Sequence, residues 1–260
     1  MKNSTSTKHV KRRFPKILVG TPVYSGKDYI APAWVESVKN LSYSNYDLAV
    51  VDNGKYNTKF LKIFLKNKIR IIRSKNFENP IKRVTVARQK LYDYAIDNGY
   101  DYLLSIEQDI LVPKSIIKDL LFHKKLIVGT PYPVSAYTNY QRRRVDYVIS
   151  ASKLKKVIGK IGGVDINEWY ISKEIENKGL IRVKSCSFGC TLISTEVLKK
   201  IKARCNPRIN RADDSYFFQE CYNKHIEVYL DTSLLWKISH VNNLISELNV
   251  GGQFHHDRYR

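Results

Sequence analysis

The chain has 260 residues, of which 43% are hydrophobic and 12% aromatic; that is enough for a substantial core, which excludes a disordered chain and leaves room for one large domain or two small ones. Lysine and arginine number 45 against 24 acidic residues, a formal charge of +21, so the surface attracts polyanions (nucleic acid, anionic lipid headgroups or phosphorylated substrates) or simply stays solvated. No apolar run approaches the roughly 20 residues that span a bilayer, and the polar, basic start MKNSTSTKHVKRRFPK has no apolar stretch or small-residue cleavage site, so a soluble protein on the cytoplasmic side, without a secretory signal, is expected.

After the basic cluster Lys11-Arg12-Arg13, the run Lys16 to Gly20 reads as a buried strand that ends in the loop Thr21-Pro22-Val23-Tyr24-Ser25-Gly26. A helix is predicted over Ala31 to Asn40, and a second strand over Asp47 to Val51, stopped by the turn Asp52-Asn53-Gly54. Phe60, Leu61, Phe64 and Leu65 have helical spacing, and Ile69 to Ile72 forms a third strand. Ile81, Val84, Leu91 and Ala95 mark one face of a longer helix that ends at Asn98-Gly99. A fourth strand covers Tyr102 to Ile106, and Pro113 opens a helix through Ile116, Ile117, Leu120 and Leu121.

Alternating strands and helices predict an α/β fold, a parallel sheet with helices on both faces. Ligands bind such sheets beyond the carboxyl ends of the strands. The loops after Val19, Val51 and Ile106 lie at that edge, so Thr21, Pro22 and Tyr24, Asp52 and Asn53, and Glu107-Gln108-Asp109 are expected to converge on one crevice. Two acids directly behind a buried strand are costly to desolvate, so they need a partner: either a bound cation or an ordinary bridge to lysine or arginine.

The second half is less regular. Residues 131–180 are rich in Tyr, Arg and Lys, carry Arg142-Arg143-Arg144 and have Gly162-Gly163 at their centre, and they read as a loop-rich excursion or a mobile lid. Strands are predicted at Ile181 to Val183 and Cys186 to Ile193, and a helix opens at Thr195-Glu196. A third basic stretch runs from Lys199 to Arg211; then come Asp213-Asp214, a helix through Phe217 and Tyr222, and a strand from Glu227 to Leu230. Cys186 and Cys190 are spaced to share one face of a strand, but with Cys205 and Cys221 they make no C-x-x-C pair. Buried free thiols are expected, with zinc and a disulfide as the alternatives.

Four stretches in order, Val19 to Tyr24, Val50 to Gly54, Val86-Ala87-Arg88-Gln89 with Tyr102 to Asp109, and Asp213 to Phe218 with His225 to Tyr229, resemble the GT-A glycosyltransferases, especially the inverting enzymes that use nucleotide-sugars. The resemblance covers roughly residues 15–240. It implies a GT-A, Rossmann-like, mostly parallel sheet with a nucleotide-binding half at 15–130 and an irregular acceptor half at 131–240. Basic tails at 1–14 and 241–260 flank this single domain. The chain departs from the family pattern in having Glu107 as the first acid, Asp213-Asp214 as the acidic pair, and His240 later than a metal-binding histidine is expected.

The resemblance further implies a nucleotide-diphosphate sugar as donor and a divalent cation, Mn²⁺ or Mg²⁺, whose hard oxygen ligands would be Asp109, with Glu107 at the ribose or a metal-bound water, and His240 as a further metal ligand. Asp214 would be the general base and Asp213 a turn or acceptor residue, the alternative for both being helix capping. Thr21, Pro22 and Tyr24 would line the nucleotide loop. Asp52, with Asn53, would meet ribose or base, or else close an Asx-turn. Arg83 and Arg88 would meet Asp109 or a phosphate, or face solvent. Gly189, between Ser187-Phe188 and the next strand, would let backbone approach the sugar, and His255 and His256, with Arg258 and Arg260, would clamp diphosphate or form a plain tail.

The implied acceptor is a glycan, a lipid-phosphate or a protein. Peripheral contact with an anionic membrane is expected, and nucleic acid is not. Two other classes stay open. One is a nucleotidyltransferase, although the Thr21 to Gly26 loop lacks the glycine-rich, arginine-ended composition of that class. The other is a non-enzymatic basic module that binds polyanions or membranes.

Overall fold

A computed structural model of the chain describes residues 14–139, 144–209 and 211–241. The first half alternates strand and helix as the periodicity predicts: β1 (Ile17–Val23), α1 (Ala31–Lys39), β2 (Tyr46–Asp52), α2 (Thr58–Lys66), β3 (Arg70–Arg73), α3 (Pro80–Asp97), β4 (Tyr102–Ile106), β5 (Ile110–Leu111), α4 (Ile116–Phe122) and β6 (Ile127–Gly129). A ribbon excursion follows, made of β7 (Pro133–Asn139), β8 (Arg144–Ile161) and β9 (Val164–Ile171). The chain then forms α5 (Ser172–Ile175), β10 (Leu180–Val183), β11 (Ser185–Cys186), β12 (Cys190–Ser194), α6 (Thr195–Leu198), α7 (Asp213–Asn223), β13 (Val228–Asp231) and β14 (Ser239–His240).

The main sheet has eight strands in the order β10-β13-β6-β12-β4-β1-β2-β3. β1 runs parallel to β2 and β4, β2 to β3, and β6 to β13. β12 lies antiparallel between β4 and β6, and β10 is an antiparallel edge. The sheet is therefore mostly parallel, with β12 closing the gap that a parallel neighbour of β4 would otherwise fill.

Successive strand residues face opposite sides, and each side is buried. Ile17 and Val19 of β1 pack with Trp34, Phe60, Phe64 and Ile117 from α1, α2 and α4. Leu18 between them points the other way, toward Leu91, Leu198 and Phe217 from α3, α6 and α7. Trp34, fully buried, also donates its indole N–H to the Ile106 carbonyl at 3.1 Å, fixing the end of β4 from which the acidic motif emerges. Asn79 caps α3 by accepting from the Lys82 N–H at 3.0 Å, with Pro80 in the first turn.

Residues 131–180 differ from the loop-rich reading. They form an antiparallel ribbon in which β8 pairs with β7, β9 and β11. Its apolar positions are spaced at two residues, Tyr147, Ile149 and Ala151, with Ile149 and Ala151 buried in the second core. Val148 and Ser150 lie between them, and the Lys, Arg and Tyr that flank this short stretch hide the alternation from a composition reading. Gly162 (φ +58°) and Gly163 (φ +80°) turn the ribbon from β8 to β9, a two-residue hairpin whose backbone needs positive φ at both positions.

Cys186 and Cys190 also differ from expectation: the turn Ser187-Phe188-Gly189 separates them onto β11 and β12. Both are free and buried, as is Cys221, and burial pushes the Cys186 and Cys190 thiols up to about 12. Lys11 to Arg13, Arg142, Arg143 and the 242–260 tail with His255, His256, Arg258 and Arg260 lie outside the described residues. No helix among the described residues is long and apolar enough to cross a membrane.

Candidate active site

The parallel register sets the site. Val23 of β1 is paired with Asp52 of β2, and Gly20 of β1 with Ser105 of β4, so the three following loops leave the same edge. Tyr24 and the Glu107-Gln108-Asp109 turn meet there directly: Gln108 accepts from the Tyr24 N–H at 3.1 Å and donates to the Lys27 carbonyl at 2.9 Å. Asp52 is buried, accepts from the Gly54 N–H at 3.1 Å in an Asx-turn, and is paired with Arg73. Asn53 is buried beside it with its side-chain oxygen unpartnered. Thr21 is buried, Pro22 half-buried. Arg83 on α3 places its guanidinium 5.6 Å from the Tyr24 ring centroid.

Arg83 and Arg88, though on one helix, do different things. Arg88 is buried and stands at the centre of the site: Nε donates to Asp213 Oδ2 at 2.5 Å, Nη2 to Glu107 Oε1 at 3.1 Å and Nη1 to Ser105 Oγ at 3.2 Å. Its guanidinium lies 4.3 Å from the Phe188 ring centroid. Burial works against its charge, but Asp213 and Glu107 outweigh that and raise its pKa. Arg88 thus bridges the two acids and does not reach Asp109. Burial raises the Glu107 carboxyl, with Arg88 opposing.

Asp109 is held by different partners. Lys27 Nζ is 2.5 Å from its Oδ2, and His240 Nε2 is 3.5 Å from the same oxygen. Burial alone would raise this carboxyl; the hydrogen bonds to His240 and Lys27 and the Lys27 charge overcome it and hold it at about 2. His240 arrives because β14 pairs antiparallel with β5, His240 opposite Ile110, and the Val241 N–H donates to the Asp109 carbonyl at 2.8 Å.

Asp109 Oδ1 and His240 Nδ1 are buried without hydrogen-bond partners. A carboxylate oxygen is a ligand of the kind Mn²⁺ or Mg²⁺ takes, while imidazole suits softer metals. Glu107 is drawn away by Arg88, and no group of three or more His, Cys, Asp or Glu placed to hold a metal occurs among the described residues. An ion here would have Asp109 Oδ1 and His240 Nδ1 as its protein ligands, with the Lys27 ammonium already on the other Asp109 oxygen, and would take the rest of its shell from diphosphate and water.

The two acids that open α7 part company. Adjacent helical residues project about 100° apart. Asp213 turns inward to Arg88, whereas Asp214 turns to a cavity of about 110 Å³ between α7 and the β8–β9 ribbon. Asp214 Oδ1 accepts from the Ser215 N–H at 2.6 Å. Burial first, then the charges of Asp213 and Glu107, raise its carboxyl to about 6. Ser150, Ser152, Asn167, Trp169 and Ser187 share the cavity wall.

Tyr132, Lys27 and Gln108 were missed as site residues by the sequence reading. Gln108 lies inside the acidic motif and was within reach; nothing local marks Tyr132 or Lys27. Tyr132 is buried, its hydroxyl bonded to Ser187 and its ring 5.4 Å from that of His240. It also occupies the space that Gly189 leaves open: a Cβ there would collide with the Tyr132 ring, so protein, not a sugar, approaches that backbone. Gly189→Ala should therefore destabilise the fold by about 1–3 kcal/mol. Thermal denaturation measures this; an unchanged midpoint would mean Tyr132 moves aside freely.

No family model matches the chain, and no curated protein matches it. Among solved structures it is similar to residues 1–349 of Staphylococcus aureus TarS crystallised with UDP, with 14% identity and a TM-score of 0.51 over 84% of this chain and 57% of that one. It is also similar to a longer TarS structure, with 14% identity and a TM-score of 0.50 over 84% of this chain and 36% of that one. The chain thus spans less than two thirds of the length of either, and at this identity the likeness is one of fold.

Proposed function

We propose that the chain is a glycosyltransferase that moves a sugar from a nucleotide-diphosphate donor to an acceptor hydroxyl, with inversion at the anomeric carbon and with help from a divalent ion. One observation carries the reading: a desolvated carboxylate, Asp214, with its pKa near 6, opens onto a cavity beside the edge where Tyr24, Asp52, Glu107 and Asp109 gather. The fold likeness to a protein crystallised with UDP supports a nucleoside diphosphate at that edge.

In this reading Asp52, Asn53 and Tyr24 receive the nucleoside, and Arg83 stands on their α3 side. A divalent ion held by Asp109 and His240 would neutralise charge growing on the departing diphosphate. Arg88 binds no substrate; it holds Glu107 and Asp213 in place. Asp214 accepts the acceptor's hydroxyl proton as that oxygen attacks the anomeric carbon from the face opposite the diphosphate. The electron pair of the broken carbon–oxygen bond leaves with the diphosphate.

A thermal-shift screen with UDP-, GDP- and TDP-sugars, with and without Mn²⁺, tests this directly. At least one donor should raise the melting temperature, more so with Mn²⁺. Asp109→Ala should weaken Mn²⁺-dependent nucleotide binding at least about tenfold, the effect of losing one charge-assisted contact. Full transfer activity in excess EDTA would remove the metal from the proposal.

Peripheral contact with an anionic membrane is proposed on the +21 charge and the basic clusters at Lys11 to Arg13, Arg142 to Arg144 and Lys199 to Arg211. Each lysine or arginine near such a surface contributes about 1 kcal/mol, decaying within a Debye length. The chain should co-sediment with phosphatidylserine vesicles at low salt and release at high salt. Absence of binding at low salt would sink the membrane contact.

A further inference from the structure

We infer that the cavity beside Asp214 is an acceptor subsite for a carbohydrate: a sugar ring whose hydroxyls are bound by the β8–β9 ribbon. This rests on the glycosyltransferase reading and extends it to the class of acceptor, which that reading leaves open.

The cavity is built, not a gap between loosely apposed elements. The ribbon folds back and is fastened at three points, two on α7 and one on the link between β10 and β11. The Tyr216 hydroxyl donates to the Gly162 carbonyl at 3.1 Å, Gln219 accepts from the Asp165 N–H at 3.1 Å, and Lys184 Nζ meets Asp165 Oδ2 at 3.0 Å. The space is about 110 Å³ and opens to solvent on one side. By this measure one water needs roughly 10–15 Å³, so there is room for a single small ring and its hydroxyls, with the rest of a larger acceptor outside.

Its chemistry selects among acceptors. Ser150, Ser152, Ser185 and Ser187 line the walls. Ser152 and Ser185 are bonded to each other, Ser187 to the Tyr132 hydroxyl, and Ser150 accepts from the Tyr132 N–H. A hydroxyl that both donates and accepts keeps capacity for a polyol beyond one such bond. Asn167 is 4% exposed; its amide N–H donates to the Lys153 carbonyl at 2.9 Å, while its side-chain oxygen is buried with no partner. A buried acceptor left unsatisfied is unfavourable; Asn167 lines the wall, and a small shift of its side chain would turn that oxygen to a ligand hydroxyl. Trp169 also lines the cavity yet is 50% exposed. An aromatic face at the rim of a pocket of mixed apolar and hydroxyl-bearing walls suits the C–H face of a sugar, whose other edge stays wet.

A phosphorylated or lipid acceptor fits less well. The cations on the walls are Lys184 and Arg211. Lys184 is buried, tied to Asp165 and placed 3.3 Å from the Tyr222 ring centroid, which leaves Arg211 for a phosphate. The apolar wall residues, such as Val164 and Phe218, alternate with polar ones and form no channel for a chain. With a sugar in place, the attacking oxygen is one of its own hydroxyls. Its O–H proton passes to Asp214, the new glycosidic bond forms to the donor's anomeric carbon, and the bond to diphosphate breaks with its electron pair.

The test is ligand-observed NMR on the full chain with free hexoses, N-acetylhexosamines and their disaccharides. Binding of UDP and GDP, measured in parallel, reports on the donor side. At least one sugar should bind. Asn167→Ala and Trp169→Ala should each weaken it about tenfold, the effect of one hydrogen bond or one stacked face. Trp169→Phe should restore most of the loss, and nucleotide affinity should stay within about twofold of wild type. If a nucleotide binds but no sugar in the panel does, the carbohydrate subsite is wrong while the glycosyltransferase reading stands. Binding of inorganic phosphate that Arg211→Gln abolishes and sugars do not displace would also overturn it, in favour of a phosphorylated acceptor. Sugar binding lost in both variants, with no nucleotide bound at all, would uphold the subsite and remove the glycosyltransferase reading.

Discussion

Asp214→Asn should cut turnover by at least about 100-fold, the lower end of what a general base supplies, and should leave nucleotide binding close to wild type. Asparagine keeps the size and still accepts from the Ser215 N–H, so the cavity wall is preserved; only the basicity goes. The wild-type rate should rise with pH and level off above about 6, where the Asp214 carboxyl loses its proton, and that acid limb should vanish in the variant's residual activity.

Stability should change in the opposite sense to activity. The carboxyl holds its proton to about 6 in the folded chain, against 3.8 as the ordinary value. Between those values the folded state binds more protons than the unfolded state, so stability falls as pH rises through this window and stays lower above it. Asp214→Asn removes that penalty and should be more stable than wild type at pH 7 by on the order of 2 kcal/mol. Asp213→Asn should do the reverse, because it strips Arg88 of its shortest partner. If Asp214→Asn turns over normally while Asp213→Asn folds well and is inactive, the roles of the two acids are exchanged. If both turn over normally, the base lies elsewhere.

Arg88→Gln should destabilise the chain by about 3–5 kcal/mol, the usual result of removing one partner from a buried ion pair. Arg88 is 2% exposed and meets Asp213, Glu107 and Ser105 at once. Without it the Glu107, Asp213 and Asp214 carboxylates repel one another across a desolvated site. Glu107 and Asp214, whose carboxyls are already raised, can escape by taking up protons, so the loss should shrink as pH falls. Urea denaturation at pH 7 and pH 5 measures both effects. The Arg88→Gln, Asp213→Asn double variant should lose less than the sum of the single losses, since neither leaves the other's charge stranded. A loss under about 1 kcal/mol at pH 7 would place the cluster in solvent, where ion pairs contribute little.

The alternation of strand and helix from Lys16 to Leu121 was legible in the sequence because it is local. A buried strand shows a continuous apolar run, a two-sided helix shows its spacing, and Asn98-Gly99 marks a helix end through the backbone preferences of single residues. Beyond that, the rule that ligands bind at the carboxyl ends of parallel strands was enough to bring Tyr24, Asp52 and Asp109 to one edge. Composition suits both α7 acids to a helix start, and in the sequence they were told apart only through the family resemblance, which made Asp214 the base. The packed structure supplies a physical difference, giving Asp213 to Arg88 and leaving Asp214 on the cavity.

Pairings between distant segments were decided by the tertiary structure alone. The antiparallel insertion of β12, the β7–β9 ribbon, the seat of Tyr132 against Gly189 and the delivery of His240 to Asp109 by β14 all join residues far apart in the chain. Hydrophobic period reports which face of a segment is buried; it carries no information about which other segment covers that face. Lys27 shows the same limit in one residue. On the sequence it is one lysine among many; in the fold it is the cation beside the most acidic carboxylate of the site, because a backbone turn three residues past Tyr24 is pinned to Gln108.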